Sequence, residues 1–217
     1  MSTSMIDPAR LSAYIASRIC HDLVSPVSSV TNALDLLNDP GDMEMKAQAQ
    51  ALLEDGAEKA GARIQYLRYA FGSIGLNSGA ADIHEARKIT ENFVKSHRPS
   101  IEFDIQTDHL SFSHVRMMMN MVLMAVDSLP RGGVISVRIR NEAGGMTITL
   151  TCKGKRAKLR PDALKALTND EPEDGWRPEN IQPLFAKMIC DGLGGELTAS
   201  QGDDTVIFMA TGIRAEG

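Results

Sequence analysis

The chain has little cysteine, no excess of positive charge and no long apolar run, and each lack excludes a class of protein. Cys20, Cys152 and Cys190 are the only cysteines in 217 residues and lie far apart. No CxxC pair or metal-type spacing is present, so neither a disulfide framework nor a zinc fold is expected, and the thiols read as reduced, small apolar residues of a cytoplasmic protein. Lys and Arg number 23 against 28 Asp and Glu, a net charge of -5 with pI ≈ 5.5. That balance argues against nucleic acid or an anionic membrane as a partner. No stretch approaches the ~20 apolar residues of a membrane span, and no apolar run near the N-terminus resembles a signal peptide. A Gly-x-x-x-x-Gly-Lys-Ser/Thr phosphate loop is also absent. What remains is a 43% hydrophobic chain, long enough for two modest domains or one large one.

Punctuation divides the chain. Asp7-Pro8 opens a helix, and Asn38-Asp39-Pro40-Gly41-Asp42 is a strong turn that ends it. Its apolar stripe is Leu11, Ile15, Ile19, Leu23, Val27, Val30, Leu34 and Leu37. A second helix is expected over 43–71, where Leu53, Ala57, Ala60, Ile64, Leu67 and Phe71 step alternately by four and three, the period of coiled-coil-like packing. Two such helices cannot enclose a core, so a homodimer through residues 8–72, forming a four-helix bundle, is expected. Gly72, Gly75 and Gly79 mark a flexible junction between a helical hairpin over 1–76 and a second domain over 77–217.

The second part reads as an α+β sandwich, an antiparallel-leaning sheet with helices on one face. Helices are expected over 82–97, 113–128 and 179–191, and strands over 101–105, 134–140, 146–152, 196–200 and 205–212. The methionines at 117, 118, 119, 121 and 124 lie at helical spacing among Val and Leu, which favours core over a metal or promiscuous binding surface.

The chemistry points to Ile19-Cys20-His21-Asp22-Leu23-Val24-Ser25-Pro26. At about 100° per residue His21 faces away from the apolar stripe. Its helical neighbours are Arg18, Ser25 and Ser28, a small polar face unable to bury a ring. A solvated imidazole is mostly neutral at neutral pH, so one ring nitrogen keeps a lone pair and can act as a nucleophile, which suits phosphoryl transfer. A histidine beside an aspartate can equally be a plain solvated pair. Pro26 weighs against that reading. Inside a helix, proline costs ~3 kcal/mol and frees a carbonyl, here that of Asp22, so the helix should kink or open beside His21. Cys20 points about 100° away from His21, so a thiolate pair is not expected.

The order of parts carries a resemblance. His21-Asp22-Leu23-Val24-Ser25-Pro26 resembles the H-box of bacterial histidine kinases, 120–133 their N-box region and 185–195 the last helix of their ATP-binding domain. The departures are as informative. Asn120 keeps the first N-box asparagine, but Met124 replaces the second, and Met is a poor magnesium ligand. Cys152-Lys153-Gly154-Lys155-Arg156 stands where an Asp-x-Gly-x-Gly box is expected, and Asp170-Glu171-Pro172-Glu173-Asp174-Gly175-Trp176 stands in place of a glycine-rich lid. Four acids there would repel a triphosphate lying near them.

Over its whole length the chain resembles the ChpT family of bacterial histidine phosphotransferases, in which a dimeric bundle displays the histidine and the ATPase-like domain is degenerate. The resemblance implies a phosphorelay in cell-cycle control, with His21 taking a phosphoryl group from the receiver domain of a CckA-like hybrid kinase and passing it to CtrA-like and CpdR-like response regulators. It implies no nucleotide or metal bound by this chain, the magnesium coming with the receiver. In that setting Asp22 would accept a hydrogen bond from the second ring nitrogen or hold a cation, or else be a solvated acid. Arg18 would offset phosphate charge or merely aid solubility, while Ser25 and Ser28 would meet the partner. Lys153, Lys155, Arg156, Lys158 and Arg160 form either a solvated loop or a patch that steers an acidic partner. Two other classes remain: an active kinase with an unusual nucleotide site, and a non-catalytic dimeric adaptor in which His21 is dispensable.

Overall fold

The computed structural model describes residues 6–39, 41–107, 110–168 and 170–214. Two long helices come first, α1 (Pro8–Asn38) and α2 (Met43–Ala70). Asp7 caps α1 by accepting from Arg10 N–H, with Pro8 pre-set for its first turn, and Asp42 caps α2 by accepting from Met45 N–H. A 3-10 turn over Ser73–Leu76 leads to β1 (Ala80–Ala81), α3 (Ile83–Lys95), β2 (Pro99–Gln106), β3 (Leu110–Ser111), α4 (Phe112–Ser128), β4 (Gly133–Glu142), β5 (Gly145–Lys153), α5 (Pro161–Leu167), α6 (Ile181–Gly192), β6 (Glu196–Gly202) and β7 (Thr205–Ile213).

Five strands form one sheet in the order β2-β4-β5-β7-β6; β2 runs parallel to β4, and the other pairings are antiparallel. Alternation sends Ile135, Val137, Ile139, Ile148, Leu150, Cys152, Val206 and Phe208 inward, where they are buried. Helix α4 lies against this face and is nearly engulfed: Met117, Met118, Met119, Met121 and Met124 are all buried, as their spacing predicts. Each such side chain is worth about 1.5–3 kcal/mol relative to exposure. At the end of the sheet Gly133 (φ +138°) and Gly154 let two backbones touch, since a Cβ on Gly133 would strike the Lys153 carbonyl and one on Gly154 the Gly132 carbonyl.

The hairpin packs differently from its apolar stripes. On α1 only Pro26 and Ala33 are buried, on α2 Ala49 and Gly56 are buried along its first two-thirds, and Pro26 faces Gly56. A Cβ on Gly56 would sit 3.2 Å from the Pro26 carbonyl and 3.1 Å from Val30 Cγ2, so small residues set a close crossing. The expected stripes run along the flank of that contact instead. Val27 and Leu34 are 50% and 46% exposed, and on α2 Ile64 is 46% exposed while Leu67 is buried. Tyr66, Leu67 and Ala70 are the buried end of α2, and Tyr66 and Ala70 belong to the core of the sandwich, with Tyr66 stacked on Phe93 at 3.9 Å. Packing therefore runs continuously past the glycines expected to form a flexible junction.

Two elements escape the sequence reading. Helix α5 is short and lies in a stretch to which no element was assigned, and the β1–β3 pair is only two residues long. The acidic 170–176 segment also has an unforeseen role. Its Trp176 is buried with Ala166, Ile181 and Leu184, and the start of α1, through Ile6, Leu11, Tyr14 and Ile15, packs on that cluster.

Candidate functional site

His21 stands on the outer side of α1 with its side chain 76% exposed. Its Nδ1 lies 3.5 Å from Asp22 Oδ1, and no partner for Nε2 occurs among the described residues. An aspartate accepting from Nδ1–H leaves the lone pair on Nε2, the ring nitrogen free to attack. Asp22 is held by two arginines. Arg18 Nε donates to its Oδ2 at 3.2 Å, Arg18 Nη2 reaches Asp127 Oδ2 at 3.4 Å, and Arg63 on α2 donates to the Asp22 backbone carbonyl.

That last contact explains Pro26. The carbonyl deprived of its helical donor is that of Asp22, and a guanidinium from the neighbouring helix takes the donor's place. Helix α1 runs unbroken from Pro8 to Asn38, so of the kink or opening that the sequence suggested beside His21, the opening does not occur.

His21, Asp22, Arg18 and Ser25 border a cleft of about 430 Å³ between the hairpin and the sandwich. Phe93, Leu123 and Val126 supply its apolar wall, and Arg63, His97, Asp127, Arg160 and Glu179 complete it. Ser28 is exposed and lies outside this lining. Arg18 is only 13% exposed and pairs with two carboxylates, so it is spoken for in the free protein. Burial, then the nearby Arg63, hold the His97 ring below the usual histidine range, despite the Phe93 carbonyl 2.9 Å from its Nδ1. Sequence reasoning missed Arg63, His97 and Asp127, since each meets the site only through long-range packing. The unpaired carbonyl before Pro26 was the one local signal that a donor had to come from elsewhere.

The region matching a nucleotide box is closed in. Asn120 is fully buried, its amide donating to the Ala70 and Arg116 carbonyls and its Oδ1 accepting from Gln182. Burial pushes the Cys152 thiol up to about 11. Between α4 and the 158–163 segment the space amounts to about 30 Å³, roughly one water, walled by Met124, Leu159, Ala163 and Phe208. Lys153, Lys155, Arg156, Lys158 and Arg160 are exposed on the loop leading to α5. This loop is pinned by Arg156 N–H to Asp204 Oδ1 and Leu159 N–H to Gln201 Oε1. Among the described residues no three His, Cys, Asp or Glu side chains are grouped to hold a metal, and no helix is long and apolar enough to cross a membrane.

Residues 83–205 match the family described as histidine phosphotransferase C-terminal domain. The chain is 28% identical over 200 residues to the protein phosphotransferase ChpT of Brucella abortus (strain 2308), covering 92% of this chain and 94% of that one. A solved bacterial phosphotransferase superposes with a TM-score of 0.86 at 26% identity, covering 97% of this chain and all of that one. Full-length ShkA in complex with AMPPNP shares the fold, with a TM-score of 0.50 at 15% identity over 98% of this chain and 47% of that one.

Proposed function

This chain belongs to the histidine phosphotransferase family and is a protein phosphotransferase, and on that premise we propose that His21 is the residue that carries the phosphoryl group. The observation that carries the proposal is an exposed imidazole with Asp22 at Nδ1 and, among the described residues, no partner at Nε2, at the mouth of a cleft between hairpin and sandwich. The donor is an aspartyl phosphate on a receiver domain. Nε2 attacks phosphorus in line, the N–P bond forms as the acyl P–O bond breaks, and the receiver keeps its carboxylate. The second transfer reverses these steps onto the aspartate of a response regulator. Such transition states are loose, so catalysis is mostly positioning and charge neutralisation. Asp22 holds the proton on Nδ1. The magnesium comes with the receiver, whose docking site is Ser25, Ser28 and the adjoining face of α1, and Arg18, already paired with Asp22 and Asp127, borders it.

The small space between α4 and the 158–163 segment and the committed Asn120 support a site without ATP. The half-exposed Val27, Leu34 and Ile64 support a homodimer that covers this stripe in a four-helix bundle, with 1–76 as the dimerisation and transfer unit and 77–217 as the sandwich. A CckA-like kinase receiver as donor, CtrA-like and CpdR-like regulators as acceptors, a cell-cycle setting and a cytoplasmic location complete the reading.

The test is transfer of label in two reactions, one with labelled ATP alone and one with a prephosphorylated receiver, each with the native chain and His21→Ala. Label arriving only from the receiver, and only with His21 present, is expected. Label taken from ATP alone would make the protein a kinase, and none from either source would make it an adaptor.

A further inference from the structure

The proposed chemistry leaves one strong feature unused: Arg18 lies between carboxylates of two different parts of the fold. Its Nε donates to Asp22 on its own helix and its Nη2 to Asp127, 109 residues away near the end of α4. Burial disfavours the charge on this guanidinium, but Asp127 and then Asp22 outweigh it, and its pKa is raised. Both carboxylates therefore hold the charge of Arg18.

We infer that Asp127 is a positioning residue for the phosphoryl acceptor, acting through Arg18 to leave Asp22 Oδ1 free for His21 Nδ1. The inference rests on the reading of His21 given above. A guanidinium facing one carboxylate tends to take both oxygens in a fork. Here the fork is split. One arm goes to Asp127, a single oxygen of Asp22 is engaged, and the other faces the imidazole at 3.5 Å. Without the Asp127 charge, the fork closes on Asp22 and Nδ1–H loses its acceptor.

The other charged or titratable groups facing the cleft are Arg63 from α2, His97 after α3, and Arg160 and Glu179 from the loops flanking α5. With His97 neutral, three cations face three anions. Neutralising Asp127 therefore also makes the cleft net positive, which by itself favours an incoming phosphoryl group. Transfer rate alone mixes the two effects, and the tautomer of His21 separates them.

The experiment uses the full chain with nitrogen-labelled histidine, recording the ring-nitrogen shifts of His21 in the native protein, Asp22→Asn, Asp127→Asn, Asp127→Glu and Arg18→Met. Transfer from a phosphorylated receiver is measured alongside. Arg18→Met, which removes the fork, should keep the Nδ1–H form, Asp127→Glu should keep the native pattern, and Asp127→Asn should shift the ring from the Nδ1–H form toward the mixture found in Asp22→Asn. Transfer should slow about tenfold at kcat with KM for the receiver unchanged, less than the ~10²-fold that misplacing a reacting group by 1 Å can cost. An unchanged tautomer in Asp127→Asn, in protein whose melting is also unchanged, overturns the inference. Failure of the native chain to take label from a receiver overturns the phosphoryl-carrier reading instead, and the ring-nitrogen shifts still report whether Asp127 sets Asp22.

Discussion

Helices α1 and α4 are both long, yet α4 buries 13 of its 17 residues and α1 only two of 31. The difference lies in what each helix has left to offer. Helix α4 has spent its surface inside the molecule, where packing against the sheet fixes it on nearly every side. Helix α1 touches α2 through a narrow row of small residues and leaves both an apolar flank and the polar face of His21 open. One chain thus assigns stability to one helix and encounters with other molecules to the other.

The sharpest way to break this contrast is to charge the open flank of α1. Val27→Asp with Leu34→Asp should turn the proposed dimer into single 23.6 kDa chains, read by sedimentation, while circular dichroism of the sandwich persists. A dimer that survives both charges would mean that the flank is covered by something else. On α4 the effect should appear as stability instead. Met121→Ala should cost about 2–5 kcal/mol in chemical denaturation, because the surrounding core relaxes only partly around the lost volume. Tyr66→Phe tests the seam between the two parts, where its hydroxyl donates to the Met119 carbonyl at 2.6 Å; about 1 kcal/mol is expected.

Acid should act through the rings of His97 and His114. His97 and His114 are both pushed down, chiefly by burial. The unfolded chain therefore binds protons at a higher pH than the folded one. Their contribution to stability is complete above about pH 6.5 and is lost as pH falls through the lower folded values. The melting temperature should decline over that window, and His97→Gln should make the decline shallower. Smallest in stability terms is Lys155→Glu with Lys158→Glu on the exposed basic loop. Melting should be unchanged, and association with an acidic receiver should slow in low salt if the patch steers it.

Local pattern made much of this molecule legible. The caps at Asp7 and Asp42, the proline and glycine turns, the methionine spacing and the alternation in the strands locate the main helices and strands to within a few residues. The exposure of His21 follows from counting at helical pitch. What could not be read depends on partners distant in sequence. Nothing near Gly56 says that it meets Pro26 and Val30, nothing near Trp176 says that α1 will rest on it, and Arg18 gives no sign of Asp127. Helix α5 is seven residues long, too short to establish a period, and the parallel pairing of β2 with β4 leaves no local mark. Arg18 was read as an exposed cation, either offsetting phosphate charge or aiding solubility. Its two carboxylates come from the meeting of α1 with α4, which no local pattern encodes.

The contact between Arg63 and the carbonyl before Pro26 also decides how the two hairpin helices align lengthwise. Moving α2 by one residue against α1 would swing its side chains about 100° around the axis. The guanidinium would leave the carbonyl, and an orphaned buried acceptor costs about 1–3 kcal/mol. Small side chains at a close crossing leave neighbouring alignments similar in shape, so a polar key is what tells them apart. The proline frees the carbonyl that Arg63 takes, so the residue next to His21 is bonded to the neighbouring helix and favours this alignment over its neighbours.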